Sequence, residues 1–297
     1  MTVDAYAPAG RFAPSPSGDL HLGSLRTALL AWLFARSTSR RFVLRVEDLD
    51  RVRPGAAERQ LADLEAIGLD WDGEVVRQSE RTELYVQAVR RLRADERTYE
   101  CFCTRREIRE AASAPHAPPG AYPGTCRDLG AAQRSRRRAE RPAAIRLRSE
   151  VDEFTVHDVL QGRYVGVVDD LVLVRNDGVP AYNLAVVVDD AEQGIDQVVR
   201  ADDLLSSAPR QAYLASLLGV SEPSYAHVPL AVNAEGRRLA KRDGSVTLAD
   251  LESAGVKPRD VFARIAASLR LEGRRPDELL EGFDPARLPT EPWVISQ

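Results

Sequence analysis

The sequence predicts an α/β fold in which helices cover both faces of a doubly wound parallel sheet. Three observations lead to this fold class. Strand-like and helix-like hydrophobic patterns alternate up to residue 67, strand-like patterns return at Leu171, and the segment between them differs in composition. At 297 residues the chain suits about two domains, or one domain with an insertion, at ~150 residues per domain. We therefore expect a sheet that is split by an inserted module.

The first part of the chain alternates between strand and helix. A short strand beginning at Arg11 runs into a loop rich in proline, serine and glycine, and Gly68 stands where the second helix should end. This order favours parallel strands, because each helical crossover returns the chain to the same edge of the sheet. After the strand at Arg11, the predicted elements are a strand at 41–46 and helices at 23–36, 54–67 and 81–94.

The composition changes after the third predicted helix. Cysteines, a stretch rich in proline and alanine, and an arginine-rich run replace the alternating pattern, which indicates the insertion. The tail from Leu248 has the pattern of short helices without further strands. The later predicted elements are strands at 171–174, 185–188 and 197–200 and a helix at about 206–218. The expected domains are 1–97 and 171–235, the two halves of the main domain, 98–170, the insertion, and 236–297, a loop and helical C-terminal region.

Composition and charge are those of an ordinary globular protein. Hydrophobic residues make up 44% and charged residues 29%, no stretch is apolar enough to cross a membrane, and the N-terminus lacks a secretory signal. We therefore expect a cytoplasmic protein without membrane contact. The net charge of -4 excludes a general positive field, so RNA contact must use a local basic patch. The arginine-rich run at 134–148 is such a patch, although a solvated helix face has the same composition.

The loop before the first predicted helix has the composition of a phosphate-binding turn. It reads Arg11-Phe-Ala-Pro-Ser-Pro-Ser-Gly-Asp-Leu-His-Leu-Gly-Ser24. Prolines stiffen the turn, Gly18 and Gly23 allow close backbone approach, and a helix N-terminus attracts anions. His21 can donate a hydrogen bond to a phosphate oxygen. The alternative is an ordinary proline-rich loop in which the histidine caps the helix.

This loop resembles the HIGH motif of class I aminoacyl-tRNA synthetases in its glutamyl and glutaminyl form, with His21-Leu-Gly-Ser24 in the motif. The resemblance implies a Rossmann-like class I domain split by an insertion. It also implies that His21 is catalytic and that Mg²⁺ accompanies ATP. The ATP contacts expected in this loop are His21, Gly23 and Ser24.

A second class I motif, KMSKS, is matched loosely by Arg238-Leu-Ala-Lys241-Arg. Alanine replaces the serine of the motif, and arginine replaces its first lysine. The resemblance implies that Lys241 is both catalytic and ATP-binding. Lysine occurs only at Lys241 and Lys257, and its retention in an arginine-rich chain suits a flexible ammonium that follows the departing pyrophosphate. The alternative is a solvated basic turn.

A glutamate site needs an arginine for a carboxylate and an acidic side chain for the ammonium group, because each is the matched charged partner. In open α/β sheets such groups lie where strands end. The resemblance implies that the two arginines bind carboxylates, the glutamate binds the amino group and the tyrosine donates a hydroxyl. For each residue alone, the alternative is a surface ion pair or a core tyrosine. Ala201 stands where family members commonly have glycine. The implied residues are Arg11, Ser15, Glu47, Tyr182 and Arg200.

The insertion contains every cysteine of the protein, at Cys101, Cys103 and Cys126. Three thiolates are a plausible tetrahedral Zn²⁺ set that needs one more ligand. The resemblance to glutamyl-queuosine synthetases implies that Tyr122 is the fourth, in a Tyr-x-x-x-Cys spacing. His116 and Asp128 compete for this place. Three unrelated buried cysteines are the alternative.

The motifs together imply an enzyme that activates glutamate as glutamyl-AMP and passes it to an RNA hydroxyl. The chain ends at Gln297, so we expect no helical anticodon-reading domain like that of a glutamyl-tRNA synthetase. The resemblance to glutamyl-queuosine synthetases implies another acceptor, the queuosine base at the wobble position of tRNA(Asp), reached through the anticodon arm. The alternatives are a fragmentary glutamyl-tRNA synthetase, a glutaminyl enzyme and a nucleotide-binding module that has lost catalysis.

Overall fold

The computed structural model describes residues 7–112, 122–237, 239 and 246–295, with the backbone alone at 109–112. The strands are β1 (Ala9–Phe12), β2 (Arg41–Val46), β3 (Val76–Arg77), β4 (Thr98–Cys101), β5 (Ala144–Leu147), β6 (Glu153–Asp158), β7 (Gly162–Val167), β8 (Val172–Val174), β9 (Ile195–Ala201), β10 (Ser224–Val228), β11 (Ala231–Val232) and β12 (Trp293–Val294). The helices are α1 (Leu22–Ser37), α2 (Ala56–Ala66), α3 (Thr82–Ala94), α4 (Arg105–Ala112), α5 (Ala131–Glu140), α6 (Tyr182–Glu192), α7 (Ala208–Leu218), α8 (Leu248–Ser253), α9 (Pro258–Ser268) and α10 (Pro276–Leu280).

The main sheet has seven strands in the order β3-β2-β1-β9-β10-β6-β7. The strands from β3 to β6 pair in parallel, and β7 closes the sheet as an antiparallel hairpin with β6. The chain moves outward from β1 to β3 on one side and from β9 to β10 on the other, so its direction reverses between β1 and β9. Ligands of open α/β sheets bind beside the strand ends at such a point. The predicted doubly wound sheet is confirmed.

The central strands place alternate residues in two different cores. Phe42 and Leu44 of β2 pack in the core that contains α1, whereas Val43 packs in the core that contains the start of α7. In β9, Val199 and Val198 divide in the same way. Residues two positions beyond Val43 and Val198 therefore face α6 and α7 rather than α1.

Helix α1 is almost completely buried. It packs against β1, β2 and β9 on one side, and α9 and α10 lie against its other side. Phe262 and Ile265 of α9 belong to the same hydrophobic core as Leu29 and Leu33 of α1. The apolar residues of α1 are therefore not limited to one stripe, as is expected for a helix that is covered all round.

The segment predicted as a strand at 185–188 is instead part of helix α6. Its valines are buried together with the adjoining Asp189 and Asp190, so polarity does not alternate with the period of either element. An apolar run that is buried all round does not distinguish strand from helix by periodicity. The prediction of a strand was wrong because tertiary burial outweighed the β preference of valine.

The chain between residues 98 and 170 contributes to two sheets. Strands β4 and β5 form a three-stranded antiparallel sheet with β8, whereas β6 and β7 extend the main sheet beyond β10. The departure from the expected bounds is on the C-terminal side, where β6 and β7, before residue 170, belong to the main sheet and β8, after it, belongs to the inserted sheet.

The C-terminal part contains the predicted short helices and one short strand that was not expected. Strand β12 pairs in parallel with β11, which follows β10 closely. Among the described residues, no helix combines the length and the apolar character needed to cross a membrane.

Candidate active site

The charged residues predicted for glutamate binding converge at the carboxyl ends of the central strands. Arg11 lies in β1, Glu47 follows β2 and Arg200 lies in β9, and all three side chains are buried. Because β1, β2 and β9 are neighbours and parallel, their ends meet at one edge of the sheet. Strand register thus brings together residues that are far apart in the chain.

A buried network of charges surrounds Arg11. Its Nε donates to Asp190 at 3.3 Å, and Nη1 of Arg45 donates to the same carboxylate at 2.8 Å. Arg45 also contacts Glu47, at 3.4 Å between Nη2 and Oε1. Buried charges of opposite sign compensate for lost hydration and fix one another in place. Ion pairs with Asp190 and Arg45 therefore hold the side chains of Arg11 and Glu47 in place.

Glu47 is an acidic group in a desolvated position. Burial raises the pKa of Glu47, while the positive charges of Arg45 and Arg11 oppose that rise. Its backbone N–H donates to the carbonyl of Pro14 at 3.0 Å, which ties the end of β2 to the loop after β1. The carboxylate is suited to a cation that enters the pocket.

Tyr182 is the first residue of α6 and is 41% exposed. Desolvation and then the negative charge of Glu47 raise the pKa of Tyr182, with Arg200 and Arg11 acting in the opposite direction. The phenol therefore keeps its proton and remains a hydrogen-bond donor. Ser15 lies in the loop after β1, where its carbonyl accepts a hydrogen bond from Nε2 of Gln60 at 3.1 Å.

Arg200 is held from two sides. Its Nε lies 3.0 Å from Nε2 of His227, and its Nη1 donates to Oε1 of Gln211 at 2.7 Å. His227 in turn lies 2.6 Å from Oδ2 of Asp158 through Nδ1. All of these side chains are buried.

His21 caps helix α1. Its Nδ1 accepts the backbone N–H of Ser24 at 3.1 Å, so in the neutral ring the proton is on Nε2, which lies 3.2 Å from Oγ of Ser24. The ring is thus oriented with a donor nitrogen beside the start of the helix. The cap uses Nδ1, so a hydrogen bond from Nε2 to a ligand oxygen would leave the cap intact.

Two glycines of the loop have different roles. A Cβ on Gly23 would lie 2.7 Å from Cβ of Ala231, so this glycine permits close packing of α1 against β11. Gly18 has a φ of 145°, which favours glycine, and its carbonyl accepts a hydrogen bond from Nε2 of Gln60 at 2.6 Å. Gln60 therefore joins two carbonyls of the loop, including that of Ser15.

The KMSKS-like residues Arg238 and Lys241 lie outside the described residues. The segments that flank them approach the start of α1. Leu239 is buried in the core that contains α1, and the carbonyl of Val246 accepts the N–H of Leu22 at 3.2 Å. Thr247 forms an isolated antiparallel bridge with His21.

The three cysteines of the insertion form one cluster. Their Sγ atoms all lie within 4.8 Å of one another, and the cluster is mostly buried. Burial raises the pKa of Cys103 to about 12. Although burial also opposes ionisation of Cys101, its hydrogen bonds with Tyr122 and with the backbone of Cys103 hold the pKa of that thiol below its usual range. Three sulfur atoms suit Zn²⁺, which cysteine side chains bind as thiolates.

Tyr122 reaches the same cluster. Its hydroxyl lies 3.3 Å from Sγ of Cys101 and 3.6 Å from Sγ of Cys103. The guanidinium of Arg146 lies 3.6 Å from the centroid of the tyrosine ring. Burial, and then the hydrogen bonds with Cys101 and Cys103, raise the pKa of Tyr122. The cation over the ring acts in the opposite direction, toward the negatively charged phenol oxygen that a metal ligand needs.

The two competing ligands differ in what the structure describes. The side chain of Asp128 is 84% exposed and pairs with Arg148 at 3.2 Å, and it is not part of the cysteine cluster. His116 lies outside the described residues. Among the described residues, Tyr122 is therefore the candidate that is close to all three cysteines, since its hydroxyl also accepts the backbone N–H of Cys126 at 2.9 Å.

The arginine-rich run divides between two environments. Helix α5 has no buried residue, and Arg138 pairs there with Glu100 at 2.6 Å. In contrast, Arg146 is buried against Tyr122, and Arg148 donates to a backbone carbonyl. Within this run, the exposed arginines therefore lie mainly in α5.

Sequence comparison connects this geometry with known proteins. Residues 9–281 match the family model described as tRNA synthetases class I (E and Q), catalytic domain. The chain is 67% identical, over 99% of its length and 96% of the relative, to a protein of Nocardia farcinica named glutamyl-Q tRNA(Asp) synthetase. A protein of Cutibacterium acnes with the same name is 58% identical over 92% of the chain and 79% of its own length.

The chain belongs to the glutamyl-Q tRNA(Asp) synthetase family. Two solved structures show how this family member relates to larger synthetases. A glutamate tRNA ligase from Elizabethkingia meningosepticum, solved with its amino acid, superposes with a TM-score of 0.82 at 29% identity. The match includes 98% of this chain and 67% of the ligase. The glutamate-tRNA synthetase of Elizabethkingia anophelis gives a TM-score of 0.83 at 29% identity, over 98% of this chain and 68% of its own. The fold of this glutamyl-Q synthetase family member is that of a class I synthetase, and the chain is a ligase.

Sequence reasoning missed several polar residues around the pocket of this glutamyl-Q synthetase family member. Arg45 and Asp190 support Arg11, while Asp158 and Gln211 contribute to the fixing of Arg200. The signal for Arg45 was present, because an arginine two residues before Glu47 shares its face of the strand. Asp158 carries no comparable signal, since its contact with His227 joins two separate strands.

Proposed function

We propose that this protein activates L-glutamate with ATP and transfers it to the queuosine base at the wobble position of tRNA(Asp). The observation that carries this proposal is the 67% identity, over nearly the whole length of both chains, to a protein named glutamyl-Q tRNA(Asp) synthetase. The geometry of the charged pocket supports the choice of glutamate. The proposed acceptor is reached through the anticodon arm of the tRNA.

The pocket offers a charged partner for each charge of glutamate. In the proposal, Arg11 and Arg200 bind carboxylates, Glu47 binds the ammonium group and Tyr182 donates its hydroxyl, with Ser15 lining the loop. Burial makes these pairs stronger than they are in water and leaves a substrate without the matching charge poorly bound. The exposed edge of Tyr182 suits a position at the mouth, where the substrate enters.

Activation requires one glutamate oxygen to attack the α-phosphorus of ATP while pyrophosphate leaves. Both reactants are anions, so positioning and charge compensation are the main tasks of the protein. We assign ATP binding to His21, Gly23, Ser24 and Lys241. Nε2–H of His21 would donate to a phosphate oxygen, and Lys241 would follow the departing pyrophosphate. Mg²⁺ is expected to accompany ATP and to neutralise part of its charge.

A structural Zn²⁺ in the insertion is the second part of the proposal, with Cys101, Cys103, Tyr122 and Cys126 as its ligands. Bound zinc would join the end of β4 to the segment around residue 122. Three sulfur atoms within 4.8 Å of one another and a phenol oxygen next to them support this set. The metal would stabilise the insertion and would take no part in glutamate activation.

A second candidate function is the charging of tRNA(Glu) at its terminal adenosine. The similarity to glutamate-tRNA synthetases, with TM-scores of 0.82 and 0.83, favours this alternative. Both functions share glutamyl-AMP formation and differ in the hydroxyl that receives glutamate. The acceptor RNA therefore separates them.

The test has two stages. Glutamate-dependent exchange of pyrophosphate into ATP, compared with glutamine-dependent exchange, measures activation and its amino-acid specificity. Transfer of labelled glutamate is then compared on tRNA(Asp) with queuosine, unmodified tRNA(Asp) and tRNA(Glu). We expect label on the first RNA alone. Equal labelling of tRNA(Glu) would show that the proposed acceptor is wrong. Absence of pyrophosphate exchange with either amino acid would favour a nucleotide-binding module that has lost catalysis.

A further inference from the structure

Arg200 is part of a buried chain of hydrogen bonds that extends away from the glutamate pocket. Nε of Arg200 contacts Nε2 of His227 at 3.0 Å, and Nδ1 of His227 contacts Oδ2 of Asp158 at 2.6 Å. His227 lies in β10, and Asp158 ends β6. This series of hydrogen bonds thus crosses three neighbouring strands of the main sheet, from β9 through β10 to β6.

The contact with Arg200 determines the tautomer of His227. The Nε of a guanidinium is a donor and cannot accept, so Nε2 of His227 must accept and carry no proton. The ring proton is then on Nδ1, where it is donated to Asp158. Burial lowers the pKa of His227, with the positive charge of Arg200 acting in the same direction, so the ring is neutral near pH 7.

Asp158 is fixed more firmly than its partner. Its Oδ1 accepts the backbone N–H groups of Leu160 and Gln161, each at 2.9 Å, and Oδ2 accepts the N–H of His227 at 3.0 Å. Although burial opposes ionisation, these donors and the imidazole hold the pKa of Asp158 below its usual range. The carboxylate is therefore a fixed, ionised acceptor.

Gln211 completes the restraint from the other side. Its Oε1 accepts Nη1 of Arg200 at 2.7 Å, while its Nε2 donates to Asn183, next to Tyr182. With Nε and one Nη1 proton held, the guanidinium plane cannot rotate freely. Nη2 makes only a long contact, 3.4 Å, to the carbonyl of Leu204. A partner for a substrate carboxylate is thus presented in one orientation.

We propose that His227 and Asp158 are positioning residues for amino-acid recognition, acting through Arg200. Asp158 holds His227 as its Nδ1–H tautomer, and His227 holds Arg200 in the orientation that binds the glutamate carboxylate. This inference rests on the proposed glutamate-activating function. It assigns specificity to two residues that do not touch the substrate themselves.

Substitution of His227 tests the inference through the KM for glutamate in pyrophosphate exchange. His227→Phe removes the acceptor, whereas His227→Gln places an amide oxygen near the position of Nε2. We expect the phenylalanine variant to raise the glutamate KM by about tenfold or more, with little change in the KM for ATP. The glutamine variant should recover most of the loss. His157→Gln, at an exposed histidine of β6, is the matched control and should behave as the unsubstituted protein.

The outcomes separate this inference from the function on which it rests. No glutamate-dependent exchange by the unsubstituted protein, with or without tRNA(Asp), would overturn the proposed function. Exchange by that protein together with an unchanged glutamate KM in His227→Phe would overturn the positioning role alone. Equal loss in the phenylalanine and glutamine variants, with a parallel rise in the ATP KM, would show a folding role and would also overturn it.

Nitrogen NMR supplies a measurement that does not depend on a folded variant. The chain has four histidines, which simplifies assignment of His227. We expect its Nδ1 to carry the proton and its Nε2 to be unprotonated at neutral pH. The same ring in Asp158→Asn should lose part of this preference, with a smaller rise in glutamate KM than in His227→Phe. A proton on Nε2 of His227 in the unsubstituted protein would contradict the inference.

Discussion

At the scale of single residues, the end of β2 shows how one strand supplies both core and site. Phe42 and Leu44 enter the core around α1, while Arg45 and Glu47 lie on the opposite face with the buried acids of α6. Alternation along the strand is sufficient for this division. Arg45 and Glu47 can remain buried there because each has an oppositely charged neighbour.

Glu47→Gln tests the proposed contact with the ammonium group of glutamate. The amide keeps the size of the side chain but loses its charge, so we expect the glutamate KM in pyrophosphate exchange to rise by about 10- to 100-fold. The KM for ATP should change little. Glu58→Gln, at an exposed ion pair with Arg77, is the control. An unchanged glutamate KM in Glu47→Gln would move the ammonium site elsewhere.

Asp63 of α2 provides a prediction about pH. Burial, and then the neighbouring Asp19, raise the pKa of Asp63 to about 6 in the folded chain, compared with about 3.9 in an unfolded one. The folded state therefore binds this proton more tightly, and its stabilising effect is lost as pH rises between those values.

We expect Asp63→Asn to raise the melting temperature at pH 7.5, where the carboxylate is ionised, and to have less effect at pH 4. Thermal unfolding at both pH values measures the difference. Glu65→Gln, at an exposed position of the same helix, is the control. Stabilisation of the same size at pH 4 and pH 7.5 would show that ionisation of Asp63 is not the cause.

At the scale of elements, α6 connects the site with the surrounding helices. Its C-terminal half carries Asp189, which is fully buried and accepts from Nε of Arg81 at 2.6 Å, Nε2 of Gln78 at 2.7 Å and the hydroxyl of Tyr85 at 2.9 Å. Burial and the charge of Asp189 raise the pKa of Tyr85, so the phenol remains a donor. Through this carboxylate, α6 is joined to α3 and to the turn before it.

Asp189→Asn should therefore destabilise the fold strongly. The amide nitrogen of Asn would face hydrogen-bond donors, and Arg81 and Arg45 would lose the negative charge that compensates them. We expect the free energy of unfolding to fall by about 3 kcal/mol. Denaturant unfolding of Asp189→Asn measures this loss. Asp196→Asn breaks the half-exposed pair with Arg40 and should cost less than about 1 kcal/mol. A similar loss of stability in both variants would contradict a special role for the buried carboxylate of Asp189.

At the scale of the whole molecule, the segment from β6 to β8 alternates between the main sheet and the inserted sheet. Strand β8 belongs to the inserted sheet, and the β6–β7 hairpin belongs to the main one. The cysteine cluster lies at the end of β4, in the inserted sheet, and the proposed glutamate pocket lies at the strand ends of the main sheet. Loss of a metal should therefore affect the two regions unequally.

Cys103→Ser should release the proposed Zn²⁺ and lower the stability of the insertion more than it impairs ATP binding. Metal analysis of protein purified without chelator should give one zinc per chain before the substitution and less after it. Tyr122→Phe should also lose metal, and His116→Ala should keep it. The reverse result for these two variants would reassign the fourth ligand, and zinc-free protein would remove the site.

The sequence by itself was sufficient for features that depend on neighbours along the chain. The strand at 41–46 has the predicted bounds, and α1, α3 and α7 lie within two residues of the predicted ends. The cysteine cluster was also predictable, because its members fall within 26 residues from Cys101 to Cys126. Local patterns carry this information because helix and strand periods repeat within a single element.

Only the tertiary structure decided which distant elements meet. Asp158 and His227 are separated by 69 residues, and Arg45 and Asp190 by 145, yet each pair forms a buried contact. The helix at 182–192 was predicted in part as a strand, because an apolar run buried all round has no visible period. Strands β6 and β8 are placed in their sheets by pairing with strands remote in sequence, and β7 follows β6 as a hairpin. A hydrophobic pattern shows which side of an element is buried, but the identity of the partner depends on packing between segments that the chain brings together only when it folds.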